Sequence, residues 1–174
     1  DYIVRADHFA VGEVNRTTYE QILEGGKGLN VSVVLKNMGL DSVALGFTAG
    51  FTGDEIERRV AERGVSADFV RVEEGMSRIN VKLKAEVEME LNGQGPHIEK
   101  RHIEKLYEKL EQLKKGDILL NGHTHIPANQ DMADFIYMNP GSVSIPKENS
   151  AHGYMIYDQE FIWKDLDGNV IDMM

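Results

Sequence analysis

Cysteine is absent from this sequence. That absence excludes disulfide staples, thiolate nucleophiles and thiolate zinc sites, and it makes a reducing, cytoplasmic setting the expectation. Long apolar runs are lacking too. No stretch approaches the roughly 18 apolar residues that span a bilayer, and no basic segment followed by an apolar one opens the chain. Positive charge is in short supply, with 19 Lys and Arg against 29 Asp and Glu and a formal net charge of −10. A field of that sign repels nucleic acid and anionic membranes, so neither is an expected partner. A small phosphorylated ligand is a different matter, because it responds to the Lys and Arg of its own pocket. The first residue is Asp1 rather than Met, which is the expectation for a fragment or a processed form.

What is present suffices for a core. Hydrophobic residues make up 41% of 174 positions, enough for one domain, or one domain with an appendage. Residues 2–22 read as short β-prone strands with polar turns. The glycines at 25, 26 and 28 lead into Leu29, Val31, Val33, Val34, Leu35 and Met38, predicting a helix with a broad apolar side that Gly39 stops. Strands are predicted at 42–47 and 67–72, with a charged helix over 54–63 between them. Alternating Ile79, Val81 and Leu83 predict a half-buried strand, continued at Met89 and Leu91. Residues 98–115 form the clearest helical pattern, with Ile103, Leu106, Leu110 and Leu113 on one face. A short strand at 117–120 runs directly into Asn121-Gly122-His123-Thr124-His125. The tail reads as strands at 135–138, 153–157, 160–163 and 170–171, with Asp167-Gly168-Asn169 as a hairpin turn. The order predicts an α/β fold: a layered sheet flanked by helices, with a β-rich C-terminal tail.

Gly25-Gly26-Lys27-Gly28-Leu29-Asn30 opens the first predicted helix. Glycines admit a ligand close to the backbone, free helix N–H groups receive anions, and Asn30 offers a donor and an acceptor to a sugar hydroxyl. A phosphate or polyol site and an ordinary glycine turn both fit these residues, and the spacing is neither that of a nucleotide P-loop nor that of a dinucleotide fingerprint. Together with ALGFTAGFTGDEI at 44–56 and SRINVKLK followed by ELNGQGP at 77–96, the segment resembles the substrate half of ribokinase-like sugar kinases, in the branch of 1-phosphofructokinase and tagatose-6-phosphate kinase. The resemblance runs over residues 1–119. It implies that Asp1 grips sugar hydroxyls, that Gly26, Lys27 and Asn30 cradle the sugar phosphate, and that Arg78 and Asn80 reach the substrate from a strand near the lid. It also implies a β-clasp lid, made by the strands at 2–22 and those after Arg78, through which a homodimer forms. The GxGD motif that carries the family's general base does not follow residue 119, nor do its ATP loops, so no catalytic residue is assigned.

His123 and His125 flank Thr124. On extended backbone such a pair projects to one side, which suits either a metal or a plain hydrogen-bonding pair. His8, His97, His102 and His152 lack any such spacing and read as surface or core histidines. With NGHTHIP at 121–127 and MNPGSVSIPK at 138–147, residues 120–174 resemble the C-terminal part of YfcE-like, calcineurin-type metallophosphoesterases. That resemblance implies that His123 and His125 are ligands of a two-metal centre, with Asn139, Pro140, Gly141 and Ser142 packed beside it. The family's earlier motifs are not found in order.

The expected organisation is therefore a fusion, joined at a helix–strand unit that both folds use. The expected function is a ketose-phosphate-binding fragment with little or no phosphotransferase activity. Two alternatives stand beside it: a Mn-dependent phosphoesterase or phosphodiesterase, and a structural or engineered domain without catalysis. No cofactor is assigned outright. ATP and Mg²⁺ follow from the kinase reading, and Mn²⁺ or another divalent metal from the phosphoesterase reading. The expected partner is a small phosphorylated sugar or a phosphoester.

Overall fold

Short β-prone segments and glycine-stopped helices alternate through the first part of the chain. The computed structural model describes residues 1–173. Its elements begin with β1 (Tyr2–Arg5), β2 (Tyr19–Ile22), α1 (Lys27–Asn37), β3 (Val43–Ala44) and β4 (Phe47–Ala49). They continue with α2 (Gly50–Glu62), β5 (Ser66–Ala67), β6 (Val70–Val72), β7 (Asn80–Lys84), β8 (Met89–Asn92) and α3 (Lys100–Leu110). The tail adds β9 (Asp117–Leu120), β10 (Pro127–Asp131), β11 (Phe135–Pro140), β12 (Gly153–Asp158), β13 (Glu160–Asp165) and β14 (Val170–Met173). The chain divides into two compact units, Asp1–Glu108 and Lys109–Met174. This is a mixed α/β fold of several small sheets with flanking helices and a separate antiparallel sheet at the C-terminal end.

In the first unit, β1 is central to a four-stranded sheet in the order β2-β1-β7-β8. It pairs antiparallel with β2 and parallel with β7, and β7 pairs antiparallel with β8. The two strand segments expected to make a lid thus share one sheet. The expected strands at 42–47 and 67–72 are each broken in two. Across α2, β3 pairs parallel with β5 and β4 with β6, the arrangement that a helical crossover permits.

The core of this unit is Ala44, Val60 and Val65, with Leu29, Val33, Ile56 and Phe69 packed against them. The apolar face of α1 is narrower than its composition suggests. Leu29 and Val33 lie four residues apart on one stripe, whereas Val31, Val34 and Met38 turn outward and are exposed. Helix α2 begins four residues before the expected Asp54, at Gly50, where φ is 56° and an added Cβ would lie 2.6 Å from the Gly75 carbonyl oxygen. Only glycine fits that corner. Helix α3 is shorter than the apolar pattern at 98–115, because Gln112 and Leu113 donate their N–H groups to the carbonyls of Lys109 and Leu110, which tightens the chain into turns.

In the second unit, β11 is central. It pairs parallel with β9 and antiparallel with β10, while β12, β13 and β14 form an antiparallel meander with an irregularity between Trp163 and Lys164. Strand β10, Pro-Ala-Asn-Gln-Asp, has weak strand propensity and was not expected; pairing with β11 overrides it. Met138, Asn139 and Trp163 are buried here, and the Trp163 indole Nε1–H donates to the Asn139 carbonyl at 2.8 Å.

Candidate functional site

The first unit holds a cavity of about 430 Å³. Of the six candidate ligand residues, Asp1, Gly26, Arg78 and Asn80 line it, brought together from three separate stretches of chain. Asp1 is placed by pairing at the end of β1, where its carbonyl accepts the Leu23 N–H at 2.9 Å. Gly25 presses against it: a Cβ there would stand 3.0 Å from Asp1 Oδ1. Asn80 opens β7 and donates from Nδ2 to Asp1 Oδ1 at 3.3 Å. That bond orients the amide so that Oδ1 is the free end, and this buried oxygen has no hydrogen-bond partner among the described residues.

Two residues before Asn80 on the same segment, Arg78 is exposed. No carboxylate among the described residues pairs with its guanidinium. Gly95, at φ 81°, returns the chain so closely that a Cβ would lie 3.3 Å from Arg78 Cβ. Gly26, at φ 127°, precedes α1, whose first turn has no side-chain cap, so its free N–H groups begin at the cavity's edge. The lining therefore combines one carboxylate, one guanidinium and an amide oxygen that lacks a donor. This donor set suits a ligand with both hydroxyls and an anionic group.

Lys27 and Asn30 are exposed on α1 and do not line the cavity. The lining also includes Phe47, Ser77, Gln94, Pro96 and Ile98, none of which sequence reasoning selected. The Asn-Gly-Gln-Gly-Pro turn was the signal available for Gln94 and Pro96. For Ser77 the signal was its place beside Arg78 at the start of SRINVKLK; Ile98 had none. Asp1 is the lone carboxylate in this lining.

The histidine loop has a different geometry from the one expected. His123 and His125 sit at φ 67° and 63°, left-handed rather than extended, so the alternation of a strand does not set their direction. His125 Nδ1 lies 2.8 Å from the Ile145 carbonyl, which can only accept, so Nδ1 carries a proton and donates it there. Asn139 braces the loop, donating to the Thr124 hydroxyl at 3.0 Å and accepting the Gly141 N–H at 2.9 Å. A two-metal centre needs several bridging and terminal donors. Among the described residues, no group of three or more His, Asp or Glu is placed to hold an ion. The residues present do not fit such a centre, and no chemistry is derived through one.

Beside the cavity, Glu73 is held down to about 2, first by the hydrogen bond from His102, then by a backbone N–H and the charges of Arg101 and Lys105.

Residues 1–131 match a family model described as pfkB family carbohydrate kinase. Over 120 residues the chain is 44% identical to the 1-phosphofructokinase of Bacillus subtilis strain 168, which covers 69% of this chain and 39% of that protein. A crystal structure of a provisionally assigned phosphofructokinase from Staphylococcus aureus superposes with a TM-score of 0.66 at 37% identity, over 71% of this chain and 40% of that one. A shorter likeness spans 55 residues at 38% identity to Phosphodiesterase YfcE of Escherichia coli K12, covering 32% of this chain and 30% of that protein. The chain thus spans about two fifths of the length of the curated kinases it matches.

Proposed function

The chain belongs to the pfkB family of carbohydrate kinases, and on that premise we propose that residues 1–119 bind a ketose phosphate in the cavity between Asp1 and Arg78. The observation that carries the reading is the convergence of Asp1, Gly26, Arg78 and Asn80 on one cavity. Asp1 and the free oxygen of Asn80 take sugar hydroxyls as acceptors. Arg78 and the uncapped start of α1 take the phosphate. Phosphoryl transfer needs nucleotide, metal and acceptor held in line. The 174 residues contain no GxGD motif, so they transfer phosphate little or not at all.

Residues 120–174 are, in this reading, a phosphoesterase-type segment joined to the kinase-type front. The 55-residue likeness to a phosphodiesterase favours a second activity there, but the His123 and His125 pair lacks further donors. Manganese-stimulated hydrolysis of an aryl phosphodiester, lost in His123→Ala, would establish that activity against this expectation. The exposed Tyr19, Ile22, Met89 and Leu91 of β2 and β8 support pairing of two copies through the lid sheet. Sedimentation that stays monomeric across concentration would remove the dimer. No helix is long and apolar enough to cross a membrane.

The test of the main reading is calorimetric titration with fructose 1-phosphate and, in parallel, tagatose 6-phosphate. Saturable binding is expected. A hydrogen bond to a charged group contributes about 1.5 to 3 kcal/mol, so Arg78→Met weakens binding roughly 10- to 150-fold. Lys27→Ala, outside the cavity, has the smaller effect. Unchanged affinity in both Arg78→Met and Asn80→Ala defeats the proposal.

A further inference from the structure

We infer that His102 is a positioning residue that fastens to each other two segments of chain that supply the cavity lining, and that it does so only while its imidazole is neutral. The consequence for ligand affinity rests on the sugar-phosphate reading above; the fastening itself does not.

His102 is 1% exposed, a buried titratable side chain that the binding scheme leaves unused. Its two ring nitrogens have distinct partners. The Glu99 backbone N–H, which can only donate, points at Nδ1 from 3.0 Å, so Nδ1 carries no proton. Nε2 lies 2.8 Å from Glu73 Oε2 and carries the N–H that donates to it. Both bonds together define a neutral ring in a single tautomer. Glu99 immediately precedes α3, and His102 is the third residue of that helix. The imidazole thus fills the place that Glu or Gln takes in a capping box, reaching back to the N-cap N–H.

Those two partners lie on two different segments of chain, each of which supplies residues to the cavity lining. Glu99 directly follows Ile98, and Gly95, Pro96 and Ile98 line the cavity. Glu73 lies between β6 and β7 on the segment that supplies Ser77 and Arg78 to the same lining. The two segments touch at Gly75, where an added Cβ would lie 3.5 Å from Pro96 Cα. The Glu73 segment is itself anchored at its far end. Ser77 donates its N–H to the Ala49 carbonyl at 2.9 Å, accepts the Ala49 N–H on Oγ at 3.0 Å, and its carbonyl accepts the Thr52 hydroxyl at 2.8 Å. A segment fixed at Ser77 and tied through Glu73 to His102 holds the stretch that leads into Arg78 in place relative to Pro96 and Ile98.

Adding a proton at Nδ1 sets one N–H against another, so the Glu99 bond is lost. The charged groups around the ring are the Glu73 carboxylate and, 3.3 and 3.6 Å from it, Arg101 and Lys105. Arg101 also reaches Glu99 at 3.0 Å, but it is half exposed and cannot substitute for a buried hydrogen bond.

The experiment uses the full chain and has two arms. In the first, amide hydrogen exchange is read without ligand in wild type, His102→Leu and His102→Gln. Glutamine offers one acceptor and one donor and should keep the Glu99 amide protected. Leucine fills the space and should raise its exchange rate about tenfold or more. Equal protection in His102→Leu and wild type, or no recovery in His102→Gln, overturns the inference. In the second, fructose 1-phosphate affinity is compared between wild type and His102→Gln from pH 8 to pH 5, where the ratio cancels the ligand's own titration. Wild type should weaken relative to His102→Gln as pH falls, and a constant ratio overturns the requirement for a neutral ring. Absence of sugar-phosphate binding in the wild type, with the exchange results as expected, defeats the sugar-phosphate reading and leaves the fastening established.

Discussion

Replacing Asn139 with alanine tests how the histidine loop is held. The residue is fully buried, and its amide bridges Thr124 and Gly141. Thr124 is exposed, so water replaces the lost bond there. Gly141 is half-buried, and its N–H loses its acceptor in a place water reaches poorly. A buried donor left without a partner costs about 1 to 3 kcal/mol, and the hole left by the deleted side chain adds about 1 more. Asn139→Ala should therefore destabilise the second unit by about 2 to 4 kcal/mol. The chain carries its own probe. Its single tryptophan, Trp163, is 2% exposed and donates to the Asn139 carbonyl, so its fluorescence follows this unit. With a urea dependence of about 1 to 3 kcal/mol per M, the unfolding midpoint should fall by about 0.7 to 4 M. Gln130→Ala, an exposed change on the neighbouring strand β10, is the control. A midpoint for Asn139→Ala indistinguishable from that of Gln130→Ala would refute the reasoning.

Two further predictions concern the first unit. Glu73 is depressed from an ordinary 4.5 to about 2, so its contribution is present above pH 4.5 and is lost as pH falls toward 2. Acid unfolding of Glu73→Gln, followed by circular dichroism, should show a shallower pH dependence across that window, and an unaltered slope would contradict it. Gly25→Ala places a Cβ 3.0 Å from Asp1 Oδ1 and should reduce fructose 1-phosphate affinity about tenfold, whereas Gly28→Ala, with nothing within 4 Å, should bind as wild type does. Equal affinities in calorimetry would show that the Asp1 carboxylate shifts without consequence.

Much of this molecule was legible in its residues because the signals are local. Glycines at 39 and 64 end helices in left-handed conformations, as their position after apolar runs implies. The alternation from Ile79 to Leu83 is a strand, and Asp167-Gly168-Asn169 is a turn between β13 and β14. Strand β10 was illegible because its order comes from pairing with β11 rather than from its own side chains. The early start of α2 at Gly50 was likewise hidden, since the close approach of Gly75 that demands a glycine is made by residues far along the chain.

The candidate site divides in the same way. The sequence by itself determined the family, the chemistry on offer and the separate segments that carry Asp1, Gly26, Arg78 and Asn80, because motif identity and residue type are properties of the chain. Tertiary structure alone decided that these four line a cavity while Lys27 and Asn30 do not, that His123 and His125 are left-handed rather than extended, and that His102 is buried with a partner on each ring nitrogen. The physical reason is distance: a side chain's burial and the cavity it faces are set largely by contacts between residues far apart in the chain, such as Asp1 with Asn80 and Glu73 with His102, and the pattern of near neighbours does not encode them.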